Sequence, residues 1–203
     1  MKYNPDIHHR ESIRLKGYDY FQNGAYFITI CIQNRENRFG EIKNKKMFLN
    51  DPGRMIDTCW NKLTIKYCHI TLDEFVVMPN HFHGIIIIDN KNVGVPLVGT
   101  RKHADETLQI NKRAGTRPAP TIKIQTIGNI IGAFKSISTH EYINGVKNNN
   151  WHSFDGRLWQ KNYYEHIIRD ERSLQEIREY IINNPSNWEK DELYNELMLH
   201  NMN

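Results

Sequence analysis

Two apolar runs joined by a short turn constrain the fold of this chain more than any other feature of the sequence. Ile70 to Met78 and Phe82 to Asp89 are rich in β-branched and aromatic residues, and Pro79-Asn80 between them suits the centre of a tight turn. The pattern predicts a β-hairpin. Both 75–78 (FVVM) and 85–88 (IIII) are apolar at every position, whereas a strand with one face in water alternates. We therefore expect both faces of this hairpin to be covered.

The rest of the chain supplies five further elements. In chain order they are predicted as a buried strand, a helix, a second helix, an aromatic strand and a final helix. They fall at 25–32, over about three to four turns after an Asp51 N-cap, from Ile127 onward, at 158–168, and from an Asp170 cap to Asn184, where Pro185 disfavours further helix.

This order predicts an α+β, ferredoxin-like split βαβ fold with an antiparallel sheet of four to five strands. Both crossover helices then lie on one face, and the final helix is the available cover for the second face, which would bring Tyr180 over the central strands. The 203 residues suit one domain, 1–203. The segment 90–125, rich in Gly, Pro, Thr and charge, is predicted to be a flexible inserted loop.

Composition limits the classes of partner. The 27 Lys and Arg exceed the 23 Asp and Glu by four, a balance that permits a polyanionic partner without requiring one. Basic residues cluster in 38–66 and 101–123, which fits a phosphate track or a solvated face equally well. No apolar run reaches membrane-spanning length and no secretion signal opens the chain, so we expect a cytoplasmic protein without membrane contact. The three cysteines are expected to be reduced and buried.

His81 and His83 are the sharpest local candidates for chemistry. Residues two apart in a strand point to the same face, about 6.6 Å apart along the strand, so both imidazoles can converge on one cation. Phe82 between them points into packing. The pair can equally be two hydrogen-bonded histidines at a strand end.

Tyr180 and Asn184 are one turn apart on the final helix and share a face. A neutral oxygen ligand beside two imidazoles leaves room for phosphate oxygens or water, as a catalytic metal site requires. The spacing alone is also compatible with Asn184 ending the helix and Tyr180 packing in the core.

Three separated blocks carry a resemblance to a known family. They are Val77–Gly84 (VMPNHFHG), Trp159–Arg169 (WQKNYYEHIIR) and Ile177–Pro185 (IREYIINNP). Together they resemble the signature blocks of REP-associated tyrosine transposases, in the superfamily of single-tyrosine, His-hydrophobic-His transposases. The likeness spans about residues 10–188 apart from the loop after Asn90.

The resemblance implies a ferredoxin-like enzyme that cleaves and rejoins single-stranded DNA at hairpin-forming palindromes. It implies that Tyr180 is the nucleophile, that His81 and His83 hold a divalent cation, Mg²⁺ or Mn²⁺, and that Asn184 is the third ligand. Attack by Tyr180 would give a 5′-phosphotyrosine linkage and a free 3′ hydroxyl, without a nucleotide cofactor. A monomer and a homodimer both stay open.

Several residues and functions remain as alternatives. Tyr163 and Tyr164 are rival nucleophiles, although core packing or base stacking suits them better, and Glu165 and His166 could orient the histidine pair or the phosphate. The tentative DNA-binding residues are Arg10, Arg14, Lys16, Tyr18, Tyr164 and His166. A binding module that grips structured DNA or RNA without cutting, and a hydrolytic metal-dependent nuclease, are the competing functions.

Overall fold

The computed structural model describes residues 23–89, 125–191 and 193. These residues form six strands, four α-helices and two 3-10 helices. The strands are β1 (Gly24–Cys31), β2 (Gly40–Lys43), β3 (Lys46–Leu49), β4 (Ile70–Val77), β5 (His81–Ile88) and β6 (Tyr164–Ile168). The α-helices are α1 (Asp51–Asn61), α2 (Leu63–Lys66), α3 (Ile127–Asn148) and α4 (Glu171–Asn183), and the 3-10 helices are Gln33–Arg35 and Asn184–Lys190.

Four strands make the main sheet in the order β4-β5-β1-β6, and each neighbouring pair is antiparallel. If the four strands of this sheet are numbered 1 to 4 in chain order, they lie side by side in the order 2-3-1-4. This is the split βαβ order of a ferredoxin-like sheet. The predicted fold class is confirmed, including the hairpin of β4 and β5 and the added C-terminal helix.

The two faces of the sheet carry separate apolar clusters. On one face α1 and α3 cover the sheet, and the Trp60 ring lies 4.5 Å from that of Phe82 and 5.2 Å from that of Phe134, centroid to centroid. On the other face a smaller cluster joins the sheet to α4; it consists of Phe27, Ile85, Ile168, Leu174 and Ile181. Both faces of the central strands are therefore covered, as their apolar pattern predicts.

Two predicted element boundaries are wrong. Asn50, not Asp51, caps α1, because Oδ1 of Asn50 accepts a hydrogen bond from the Gly53 backbone N–H at 2.9 Å. The strand predicted at 158–168 begins only at Tyr164. Before it, Trp159 makes only an isolated antiparallel bridge with Ile32, and the backbone carbonyls of residues 160 and 161 accept hydrogen bonds from the Lys135 ammonium.

The β2–β3 hairpin was not predicted. Asn44 and Lys45 at its tip both have positive φ, 50° and 62°, as a type I′ turn requires. Asparagine tolerates that conformation but lysine is a poor signal for it, and each strand is only four residues long.

Burial of the cysteines also departs from expectation at one position. Cys59 is buried and Cys31 is partly buried, but Cys68 is exposed in the turn between α2 and β4.

Some predictions fall outside the described residues. These are the proposed DNA-binding residues Arg10, Arg14, Lys16 and Tyr18, and the inserted loop 90–125 apart from Gln125. In the described ranges, the helices are all too short or too polar to cross a bilayer.

Candidate active site

His81 and His83 begin strand β5 and face α4. Phe82 between them points to the opposite face, where it packs against Trp60. The two imidazole rings lie 4.5 Å apart, centroid to centroid, and their side chains are almost fully buried, with 0% and 2% of each residue exposed. The alternation of the strand therefore places the two rings side by side under the helix.

A polar neighbour contacts Nδ1 of each ring. Nδ1 of His81 lies 2.8 Å from Oδ1 of Asn80, and Nδ1 of His83 lies 2.8 Å from Oγ1 of Thr29, its cross-strand partner on β1. Both Nε2 atoms are thus left for other partners.

Burial keeps both imidazoles neutral near pH 7. Removal from water lowers the pKa of His83 to about 3. Burial also lowers the pKa of His81 well below its usual value, and the neighbouring His83 and the Arg35 guanidinium lower it further, whereas the Asn184 amide acts in the opposite direction. Neutral imidazole is the form that binds metal ions.

Tyr180 lies on α4 directly above this pair. Its hydroxyl is 3.4 Å from Nε2 of His83, and its ring meets that of Phe27 edge to face at 5.9 Å. Phe27 in turn stacks on the His83 ring at 5.3 Å. With 48% of the residue exposed, Tyr180 is in contact both with His83 and with solvent.

Asn184 and Asp191 bring oxygen atoms to the same place. Asn184 directly follows α4, and the 3-10 helix that starts there ends next to Asp191. The Asn184 amide donates to Oδ2 of Asp191 at 3.3 Å. The ligand atoms of His81, His83 and Asp191 all lie within 4.8 Å of one another.

Asp191 was missed by the sequence prediction. It follows Pro185, at which the sequence predicts that the final helix ends, and its approach to the histidines depends on the path of the 3-10 helix. The Trp188 ring within that helix packs 5.8 Å from the His81 ring. An acidic residue soon after the Tyr-x-x-x-Asn block was the available signal.

Two buried atoms indicate that the residues fit a cation. Nε2 of His81 and Oδ1 of Asn184 are both inaccessible to solvent and have no hydrogen-bond partner among the described residues. Leaving such atoms unsatisfied is costly, and a cation would satisfy both. Around an ion with bonds of about 2.1 Å, ligand atoms lie roughly 3–4 Å from one another. The ligand atoms of His81, His83 and Asp191 lie within 4.8 Å of one another, so small movements of these side chains would allow them to bind one ion.

A pocket of about 750 Å³ opens beside Tyr180. Its walls come from β1, β5, α4 and the segment before β6, and its charged rim includes Arg35, Lys190 and Asp191. Phe27, Tyr163 and Tyr164 give it aromatic surface. The pocket is large enough for a nucleotide-sized group to reach the tyrosine hydroxyl.

An ion pair fixes α4 on the sheet. The Arg178 guanidinium donates to both carboxylate oxygens of Asp73 on β4, at 2.8 and 2.7 Å. This contact lowers the pKa of Asp73 below its usual value. Arg178 is two residues before Tyr180, so the pair holds the part of the helix that carries the tyrosine.

The other predicted residues near the site divide between the two faces. Tyr164 and His166 are exposed on the histidine face of β6, opposite Thr29 and Phe27 of β1, and Tyr164 lines the pocket. Glu165 pairs with Ile28 and shares its face, so the idea that it orients the histidine pair is wrong. Tyr163 packs against the main core and also lines the pocket.

Comparison with solved structures identifies the class of fold. A REP-associated tyrosine transposase bound to a REP hairpin aligns with a TM-score of 0.51 at 17% identity, covering 85% of this chain and 73% of that one. This chain therefore has the fold of that class of transposase. A candidate transposase from Deinococcus radiodurans R1 aligns with a TM-score of 0.42 at 14% identity, covering 84% of this chain and 95% of that chain.

Comparison by sequence gives a family. An uncharacterised protein of Haemophilus influenzae is 46% identical over 193 residues, which is 95% of this chain and 97% of that protein. The chain belongs to the same family as that protein. No family model matches the chain.

Proposed function

We propose that this protein is a metal-dependent transesterase that cleaves and rejoins single-stranded DNA at hairpin-forming, REP-like palindromes. The observation that carries the proposal is the 3.4 Å approach of the Tyr180 hydroxyl to Nε2 of His83, beside a second buried imidazole. The sequence blocks that resemble REP-associated tyrosine transposases contain all of these residues, and the shared fold supports the same assignment.

Tyr180 is the proposed nucleophile. Its oxygen attacks the phosphorus of a DNA phosphodiester, the bond to the 3′ oxygen breaks, and the leaving oxygen gains a proton as the phenol loses one. One phosphoester replaces another, so the linkage can be reversed by a 3′ hydroxyl without a nucleotide cofactor. The half-exposed position of Tyr180 lets a strand reach the hydroxyl without opening the core.

His81 and His83 are the proposed ligands of a divalent cation, with oxygen from Asn184, Asp191 or both. The cation would stabilise the negative charge that develops on the phosphoryl oxygens. Two imidazoles with a carboxylate suit Mn²⁺ better than Mg²⁺, which prefers oxygen ligands, although availability also decides which ion is bound.

The pocket walls suit a single strand. Tyr164, 52% exposed, offers an aromatic face on which a base can stack, and Arg35 and Lys190 at the rim carry charge complementary to phosphate. His166 lies farther along the same face of β6. We propose that the lead-in residues Arg10, Arg14, Lys16 and Tyr18 also contact the DNA.

A labelled-DNA assay tests the proposal. A hairpin-bearing single strand, labelled at its 3′ end, is incubated with the protein and Mn²⁺ and run on a denaturing gel. A 5′-phosphotyrosine adduct transfers the label to the protein band. Tyr180→Phe is expected to abolish the adduct, whereas the matched control Tyr164→Phe, which keeps the aromatic ring in the same pocket, is expected to form it.

The outcomes separate the competing functions. Cleavage without a protein-bound label would indicate hydrolysis by water, and tight binding without cleavage of any hairpin tested would indicate a binding module. An adduct that persists in Tyr180→Phe would remove Tyr180 from the role.

A further inference from the structure

Asn80 is completely buried at the turn between β4 and β5, and all of its amide groups are used. Its Nδ2 donates to the backbone carbonyl of Arg35 at 3.2 Å and to that of Leu193 at 3.4 Å. Its Oδ1 lies 2.8 Å from Nδ1 of His81. The residue has 0% of its surface exposed, so solvent does not compete for these contacts.

The two carbonyls determine which way the amide faces. A backbone carbonyl can only accept a hydrogen bond, so the NH₂ group must point toward Arg35 and Leu193. A flipped amide would set its oxygen against both carbonyls in a buried environment. Oδ1 is thereby fixed toward His81.

The orientation of Asn80 in turn determines the tautomer of His81. An amide oxygen only accepts, so Nδ1 of His81 must carry the proton that it donates. A neutral imidazole has one N–H, which leaves an unprotonated lone pair on Nε2. Among the described residues that nitrogen has no hydrogen-bond partner, and it is buried, as a ligand atom prepared for a cation would be.

We propose that Asn80 is a positioning residue that fixes His81 in the Nδ1–H tautomer, so that Nε2 is held as a metal donor. The tautomer follows from the hydrogen bonds alone, and the metal role rests on the proposed function. Partners of this kind commonly affect metal affinity by about 10- to 100-fold.

Among the described residues, His83 meets no partner that fixes its tautomer in the same way. Its Nδ1 meets the Thr29 hydroxyl, which can either donate or accept, so this contact is compatible with both tautomers. The effect of Asn80 on the tautomer is therefore specific to His81. Through its two donated hydrogen bonds, Asn80 also connects the site to the backbone at Arg35 and Leu193.

Two variants of similar size separate positioning from structural support. Asn80→Leu and Asn80→Asp both remove the NH₂ that holds the two carbonyls, but only aspartate keeps an oxygen that accepts from His81 Nδ1. We would measure Mn²⁺ affinity of the whole protein by calorimetry in mildly alkaline buffer. Long-range ¹H–¹⁵N spectra of the metal-free protein would show which ring nitrogen of His81 is protonated.

The expected pattern is asymmetric. In wild type and Asn80→Asp, His81 is protonated at Nδ1, and Asn80→Asp binds Mn²⁺ at least as tightly as wild type because of its added negative charge, whereas in Asn80→Leu the Nε2–H form appears and affinity falls by about 10- to 100-fold. Equal loss in both variants would show that Asn80 only holds the backbone.

Two further results also decide the matter. Protonation at Nε2 in the wild type overturns the inference even if Asn80→Leu does not fold. Wild type that keeps the Nδ1–H tautomer but binds no Mn²⁺ would refute the proposed metal function, and with it the metal role of Asn80, while leaving the tautomer assignment standing.

Discussion

The hydroxyl of Tyr180 lies 3.4 Å from Nε2 of His83, although the two residues are 97 positions apart in the chain. Packing produces this approach, because α4 rests on the sheet through the cluster that contains Leu174, Ile181 and Ile85. The imidazole lone pair that can accept the phenol proton is also the one that would bind a cation. Metal binding and this hydrogen bond therefore compete.

Tyr180→Phe is expected to bind Mn²⁺ slightly more tightly than wild type. The variant removes the competing hydrogen bond, which at 3.4 Å is worth the low end of the usual range, about 0.5 kcal/mol or roughly twofold in affinity. Calorimetric titration with Mn²⁺ measures the change. A marked loss of affinity would mean instead that the phenol oxygen is itself a ligand.

The stability of the metal-free protein is expected to fall as the pH drops from 6.5 toward 3. The pKa of His83 is lowered to about 3 in the folded protein, so in this window the unfolded chain binds a proton that the native state does not. Each such histidine contributes a loss of up to about 1.4 kcal/mol per pH unit. Urea unfolding at several pH values, with a chelator present, measures the slope.

A variant isolates the contribution of this group. His83→Gln retains the carboxylates and the other histidines that titrate in the same window. The slope of the unfolding free energy against pH is expected to decrease by close to one proton, or about 1.4 kcal/mol per pH unit. Parallel slopes for the two proteins would show that His83 is not held neutral by burial.

The sheet and α4 were readable from the sequence because their signals are local. Apolar runs such as Ile85–Ile88 set the strands, and Asp170 caps α4 as predicted, its side chain accepting from the Ser173 backbone N–H at 2.8 Å. Strands that are apolar on both faces also require a second cover, which predicts the position of α4 and of Tyr180 over the sheet.

The remainder of the site depends on contacts that no local pattern records. Asp191 approaches the histidines only because the 3-10 helix after α4 turns back, with Trp188 against His81. The role of Asn80 needs the carbonyl of Leu193, which is 113 positions away. Such contacts are decided by the packed fold, not by residue spacing.

Asp191→Asn is expected to weaken Mn²⁺ binding by about 10- to 100-fold, because it removes a negative charge. The loss is expected whether the Asp191 carboxylate binds the ion directly or only accepts the hydrogen bond from Asn184. The matched control is Glu189→Gln, which removes an exposed carboxylate two residues earlier, within the 3-10 helix, and should leave affinity unchanged. Equal affinities for the two variants would exclude Asp191 from the metal site.

Gly84→Ala is expected to destabilise the protein by about 1–3 kcal/mol, because the new methyl group would lie 2.7 Å from Cζ2 of Trp60 and 2.9 Å from the Phe82 ring. Gly132→Ala is the control. A methyl group there meets nothing within 4 Å on the exposed side of α3, so stability should rise by about 0.5–1 kcal/mol. Urea unfolding of both variants compares them, and a neutral Gly84→Ala would show that Trp60 can move aside.

Arg178→Met tests whether the ion pair with Asp73 positions the nucleophile. Removing the guanidinium releases α4 from β4 two residues before Tyr180, while the histidines stay on β5. Because a misplacement of about 1 Å can cost on the order of 100-fold in rate, we expect adduct formation to slow by about 10- to 100-fold with Mn²⁺ affinity nearly unchanged.

The control for this variant is Arg172→Met on the same helix. Arg172 pairs with Glu176 in an exposed i,i+4 contact, which contributes little to stability, so neither adduct formation nor affinity should change. Single-turnover assays with the labelled hairpin give the rates. If both arginine variants react at the wild-type rate, the apolar packing of α4 alone is sufficient to hold Tyr180 over His83, and the Asp73 contact adds nothing to the geometry of attack.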